Sequence, residues 1–323
     1  MKFPKNATTI PEQLALLKKR GLKIINDNSA AKTLNNISYY RLSAYFLSFQ
    51  KFGSPSHDFM PWADFKKVEK LYIFDRELRS ILLDAIERIE VALRCRIVYE
   101  YCHRHGNNWY EDPSLFIREH TKFLKKVHTE LGNSKEVFIS HYYSKYTVPQ
   151  HPPAWMSMEI LSFGQISIMY KNLHNNDAKK AVARHFGVSP SVLESWLEHL
   201  VYIRNICAHH SRLWNRIMTV KATIPTKASE LWISYPPSKP DKIYTTICIA
   251  AYLLERVNSS SIFAGKIRSL IKRFNNIDLN AAGFNKNWQS DPFWKSISSP
   301  FTHKIRIVIF SCINAIKIEK RLA

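Results

Sequence analysis

Apolar residues recur every three or four positions along most of this chain, and alternation with a period of two is scarce. From Trp62 to about Tyr101 no proline or glycine interrupts the sequence. Leu71, Phe74, Leu78, Ile81, Leu82, Ala85, Ile89 and Leu93 keep the spacing of one helix face there. The pattern predicts a single long helix, straight or kinked. Punctuation residues mark several others. "TTIPEQLALLKKRG" sets Thr9 ahead of Ile10-Pro11, then Leu14, Leu16 and Leu17, a basic last turn and Gly21 as a stop. In "SYYRLSAYFLSFQKFG", Tyr40, Ala44, Leu47 and neighbouring aromatics read as a broad apolar face. A polar segment, residues 104–152, holds a shorter amphipathic helix near 119–131, and "PPAWMSMEILSFGQISIMYKNL" starts another after Pro152-Pro153. Ser189-Pro190 pairs an N-cap with a first-turn proline and opens a helix through Trp196, Leu197, Leu200, Ile203 and Ala208. Further helices fit 241–257 and 259–273, and only "KIRIVIFSCI" near the end alternates like a strand. The expected fold class is all-α.

Composition adds a core and a charge. A hydrophobic fraction of 46% belongs to a packed chain rather than a disordered one. Against 26 Asp+Glu stand 47 Lys+Arg, a net charge of +21, which favours polyanionic partners, nucleic acid before anionic membrane. The five cysteines include no C-x-x-C pair and are odd in number, so they read as reduced and mostly buried thiols. The N-terminal stretch lacks the apolar core of a signal peptide, and no segment is apolar over the length of a membrane span. A soluble, cytoplasmic protein without membrane association is expected.

The chemistry concentrates in "YIRNICAHHSRLWNR", residues 202–216, with three arginines, two adjacent histidines and two asparagines. On a continuing helix, Asn205, His209, Arg212 and Arg216 would form one polar stripe, with Arg204 beside Asn205. The residue types suit RNA cleavage. A 2′-hydroxyl must lose a proton as it attacks phosphorus, and the leaving 5′-oxygen must gain one. Histidine titrates near neutrality and does either job. Arginine forks onto phosphate oxygens as their charge grows, and Asn205 would orient the imidazole or bind a phosphate oxygen. No H-E-x-x-H occurs and carboxylates are not clustered here, so no metal and no cofactor is read. Two other readings stay open from the residues alone: a stripe that grips RNA without cutting it, and basic residues that complement a helix C-terminus.

"IRNICAHHSRLWNR" resembles the R-N-x3-H region of ribonucleases of the HEPN superfamily, specifically the bacterial abortive-infection AbiD/AbiF-like family. Four further blocks resemble that family in the same order: "ISYYRLSAYFLSF" (37–49), "AIERIEVALRCRI" (85–97), "PPAWMSMEILSFGQISIMYKNL" (152–173) and "GFNKNWQSDPFW" (283–294). The resemblance covers residues 10 to 294. It implies a helical HEPN core, metal-independent endoribonuclease activity, and a toxin's role in phage defence or a toxin–antitoxin system. Arg204 and His209 are then the catalytic pair and Asn205 their polar companion. His210, Arg212, Arg216 and Arg41 are expected RNA contacts. Such sites form where two motifs meet, so one visible motif implies a homodimer. A structured small RNA antitoxin is an expected partner beside the RNA substrate.

The expected organisation is an N-terminal helical segment (1–60) packed on a HEPN-type core (61–294), followed by a tail (295–323) that carries six Lys/Arg against Glu319. Arg41 among Tyr39, Tyr40, Tyr45 and Phe46 suits base stacking with phosphate contact, or equally a core helix whose arginine meets an acid. Glu90 and Arg94 form an i,i+4 pair near Glu87, either on the surface or in a buried polar network. "CHRHG" (102–106) lacks a fourth metal ligand and reads as loop histidines. A silent RNA-binding scaffold is the competing function. A DNA-binding regulator is disfavoured because no helix-turn-helix or zinc-finger pattern is present.

Overall fold

The computed structural model describes residues 6–297, apart from 119, 227, 229–230 and 259–260. "KIRIVIFSCI" and nearly all of the basic tail lie outside the described residues. Among the described residues the chain is all-α, with isolated bridges in place of any strand.

Local chemistry sets the element boundaries. Helix α1 (Ile10–Lys19) opens on a reciprocal cap between Thr9 and Glu12, and Gly21 at φ 87° turns the chain away. Helices α2 (Asp27–Asn36) and α3 (Tyr39–Phe46) follow, capped by Asn26 and Ser38. The apolar face of α3 differs from the expectation. Tyr40 and Leu47 are exposed, whereas Leu42, Tyr45 and Phe46 are buried. Aromatic residues stand on more than one side of this helix, so the period does not say which side faces the core.

Helix α4 (Phe65–His105) is the spine, 41 residues in one run and about 62 Å long at 1.5 Å per residue. Its stripe from Val68 through Leu82, Ile89 and Leu93 to Tyr101 is buried, and it packs against α3 and most later helices. The "CHRHG" histidines end this helix rather than lie in a loop. Arg94 is buried, bonding Glu90 at 2.8 Å and the Leu161 carbonyl at 3.0 Å, which is the buried-network reading of that pair.

The polar segment holds α5 (His120–Asn133) and a second, unanticipated helix α6 (Val137–Lys145). The segment after Pro153 is split. Helix α7 (Ala154–Ser157) is a single turn, and α8 (Phe163–Asn172) starts anew on a capping box between Ser162 and Gln165. Helix α9 (Asp177–His185) precedes α10 (Pro190–Ala208), which opens as expected on Ser189-Pro190. After an irregular connection come α11 (Ile243–Val257), α12 (Phe263–Arg273) and α13 (Pro292–Ser296).

Helix α11 is buried on every side from Ile243 to Leu254, the signature of a central helix. It lies against α4, α10 and α12. Each fully buried Leu, Ile or Phe contributes about 1.5–3 kcal/mol, so α4, α8 and α11 together hold α10 rigidly. The closing block "GFNKNWQSDPFW" works within this core. Asp291, wholly buried, caps α13 and accepts the Ser234 and Tyr235 amides at 2.8 Å. Gly283 has φ 90°, and a Cβ there would sit 2.8 Å from the Lys239 carbonyl oxygen, so no other residue fits without movement.

Candidate active site

Helix α10 buries Leu193, Trp196, Leu197, Leu200, Ile203, Ile206 and Cys207 and leaves Arg204, Asn205, Ala208, His209 and His210 exposed at its C-terminal end. Two residue sets interleaved in sequence are thus separated by the helix into a packed side and an open one. Arg204 Nη1 reaches Asn205 Oδ1 at 3.4 Å. Burial pushes the Cys207 thiol up to about 12, so the cysteine within the motif is packing and not a nucleophile.

The helix does not continue through the motif. His209 is its C-cap, and His210 takes a left-handed φ of 56°. The His210 amide donates to the Cys207 carbonyl at 2.9 Å and the Ser211 amide to Ile206 at 2.9 Å, the paired bonds of a Schellman ending. Glycine normally fills this position, since a side chain there costs about 1–2 kcal/mol. The stripe of Asn205, His209, Arg212 and Arg216 is therefore not formed. Asn205 and His209 share the helix end, whereas Arg212 and Arg216 follow the turn.

A buried polar network holds that turn. Asp75 on α4 is fully buried and accepts the Trp214 amide at 2.7 Å and the Leu213 amide at 3.1 Å. The same carboxylate accepts from the Tyr45 hydroxyl at 2.7 Å and from Arg79 Nη1 at 2.6 Å. Arg79 also donates to the Ser211 carbonyl at 3.3 Å. Burial raises the Asp75 pKa, opposed by Arg79, Tyr45 and the two amides. Every one of these partners is a donor, so the geometry serves the ionised carboxylate.

Two of the expected RNA contacts take part in the same bracing. Arg41 Nη1 donates to the His210 carbonyl at 2.7 Å, and Arg212 Nη1 donates to the Ala44 carbonyl at 2.6 Å. Arg41 remains exposed; Arg212 is half-buried, and burial lowers its pKa. Arg216 is half-buried as well, and His210 is open to solvent. Sequence reasoning missed Asp75, Arg79 and the role of Tyr45. The signal was present: a charged i,i+4 pair lies among Leu71, Phe74, Leu78 and Leu82 on the core-facing side of α4.

Among its described residues the connection from His209 to Lys242 has no helix, yet they are tied down at many points. Trp196 Nε1 donates to the Thr223 carbonyl at 2.8 Å, and Lys242 Nζ donates to the Asn215 side chain at 2.9 Å. His199, also on α10, is buried between the Val220 carbonyl at 2.6 Å and the Thr246 hydroxyl at 2.7 Å. A groove of about 560 Å³ lined by Cys95, Tyr99, His103, Trp155 and Glu159 lies apart from the motif, on α4 and α7.

An all-helical protein that exposes an arginine, an amide and an imidazole at one braced helix end is the class defined by this geometry. Residues 32–215 match the family described as Abi-like protein, more than half of the chain, and the chain belongs to that family. The matched span includes the Y-R-L-S, I-E-x-x-L-R and P-x-W blocks and the R-N-x3-H motif; the closing block at 283–294 lies beyond it. Membership suggests a part in abortive infection, a form of phage defence. No curated protein and no solved structure matches the chain. Among the described residues no helix is long and apolar enough to cross a membrane.

Proposed function

We propose that this protein is a HEPN-type endoribonuclease toxin of a bacterial phage-defence or toxin–antitoxin system, acting on RNA in the cytoplasm. The observation that carries the reading is the helix end itself. Arg204, Asn205 and His209 lie exposed at the end of a helix whose other face is locked in the core, and a buried carboxylate fixes the turn that follows them.

On this reading His209 exchanges the proton. The 2′-oxygen loses its proton to a base, attacks the adjacent phosphorus and displaces the 5′-oxygen, which takes a proton as it leaves. The products are a 2′,3′-cyclic phosphate and a 5′-hydroxyl. Arg204 forks onto the non-bridging oxygens as their charge grows, and Asn205 holds the imidazole or a phosphate oxygen. No metal enters the step. His210, Arg216 and the free side of Arg41 guide the strand, aided by the net charge of +21. One motif open to solvent is half a cleft, so a homodimer supplies the second half. A structured small RNA that occupies the cleft keeps the toxin silent. The HEPN-type core is then residues 61–294, with 1–60 packed on it.

The test incubates purified protein and His209→Ala with total RNA in EDTA and maps the product ends. Cleavage by the wild type alone, leaving cyclic-phosphate ends, supports the reading. If neither protein cuts, RNA that co-purified is stripped under denaturing conditions and the refolded protein assayed again. Continued silence after that treatment would leave a catalytically inert RNA-binding scaffold as the function. Mixing inactive Arg204→Ala with inactive His209→Ala tests the shared cleft, since regained activity requires residues from two chains.

A further inference from the structure

Glu111, His128 and His151 are far apart in sequence, and each brings one ligand atom to a point where all three lie within 4.8 Å of one another. A tetrahedral ion with bonds of about 2.1 Å keeps its ligands about 3.4 Å apart, so small side-chain rotations close this set on a metal. A second observation points the same way. Glu111 Oε1 and His128 Nε2 are sealed from solvent and have no hydrogen-bond partner. Such groups cost about 1–3 kcal/mol each when nothing satisfies them, and a bound ion would satisfy both at once.

The surroundings hold each ligand in place. Glu111 ends the short turn after α4, its amide bonded to the Asn108 carbonyl at 2.9 Å. His128 lies on α5. His151 precedes α7, and its carbonyl accepts from Asn108 Nδ2 at 3.0 Å and from the Tyr142 hydroxyl at 3.1 Å. The imidazole of His151 stacks on that of His128 with centroids 3.8 Å apart, and its Nδ1 lies 3.3 Å from the Tyr143 hydroxyl. A hydroxyl on one ring nitrogen is the kind of outer contact that orients a metal-bound imidazole through the other.

We infer that Glu111, His128 and His151 form a zinc site that ties the end of α4, helix α5 and the loop before α7 together. Two imidazoles and one carboxylate suit zinc and its neighbours in the first transition row. They suit magnesium or calcium poorly, because those ions want oxygen alone, and the set offers no thiolate for copper(I). Three protein ligands leave one position for water. The site is remote from the motif: Arg79, which braces the motif's turn, and His105 are separated by about 39 Å along α4. Ion binding at this place is a property separate from the motif on α10, so it stands or falls independently of the proposed nuclease function.

The experiment titrates the chelator-stripped full chain with zinc chloride by calorimetry, and with cobalt(II) by visible absorption. Wild type is expected to bind one ion per chain, to melt at a higher temperature with zinc, and to give the bands of four-coordinate cobalt. Glu111→Gln, His128→Ala and His151→Ala should each weaken binding by at least about tenfold and lose those bands, while the exposed-residue control His174→Ala should not. Glu111→Gln keeps the side-chain shape and decides the matter if a histidine variant fails to fold. Absence of binding by the wild type, or binding that Glu111→Gln leaves unchanged, would overturn the assignment and leave the two polar atoms to a buried water.

Discussion

His199 and His209 belong to the same helix and could hardly differ more. His199 is buried, with both ring nitrogens engaged: Nδ1 donates to the Val220 carbonyl and Nε2 accepts from the Thr246 hydroxyl. Its tautomer and orientation are fixed, and burial holds its pKa below the ordinary histidine value of 6.5. His209 caps the helix in the open, beside Asn205. One histidine spends its chemistry on the fold and the other keeps it available. Residue type alone says nothing about which is which; the partners decide.

The comparison breaks most visibly at His209. His209→Ala is expected to lower RNA cleavage by about 10² to 10⁴ with the melting temperature unchanged, which a cleavage assay run beside thermal melts would read. Asp75→Ala attacks the brace instead. It leaves Arg79 as a buried unpaired charge and frees the Leu213 and Trp214 amides, a loss of about 3–5 kcal/mol measurable by denaturant unfolding. An unchanged midpoint would show that the turn does not depend on this carboxylate.

His199→Gln should cost less, about 2–3 kcal/mol, and cleavage per folded molecule should be retained. The same group gives a pH dependence whose sign is fixed. The folded state favours neutral His199, so its contribution is complete above pH 6.5 and is lost as the pH falls below that value. Thermal midpoints taken from about pH 7.5 down to about 5.5 should fall more steeply for wild type than for His199→Gln. Arg41→Ala is the smallest perturbation. Loss of its bond to the His210 carbonyl costs about 1 kcal/mol, or about fivefold in cleavage; an unaltered rate would remove Arg41 from the site.

Much of the fold could be read in advance because its elements are punctuated. Thr9 with Glu12, Ser189 with Pro190, and the unbroken run of α4 each state their own boundary. The short helices α2, α6 and α9 could not be read so easily, because each buries few large side chains; α2 buries only Ala30 and Leu34. At the site the motif residues stood out, but the end of α10 did not. No glycine or proline occurs between Ile203 and Arg216, and the left-handed position is filled by His210, so the stripe of four polar residues looked continuous. The tie from Arg212 to α3 was equally hidden, because the Ala44 carbonyl lies far away in sequence. Asp75 and Arg79 carried a signal in their placement among core leucines, yet their target, the backbone of residues 211–214, lies far along the chain and only folding brings it near. Glu111, His128 and His151 gave none, since three single residues on separate elements make no motif.

The proposed function gives two histidines of one helix opposite duties. It is tested most directly by comparing wild type, His209→Ala and His199→Gln in one RNA-cleavage assay, normalised to the folded fraction measured by melting. His209→Ala should be folded and inactive, whereas His199→Gln should be less stable and cut at the wild-type rate per folded molecule. Equal cleavage by wild type and His209→Ala would contradict it.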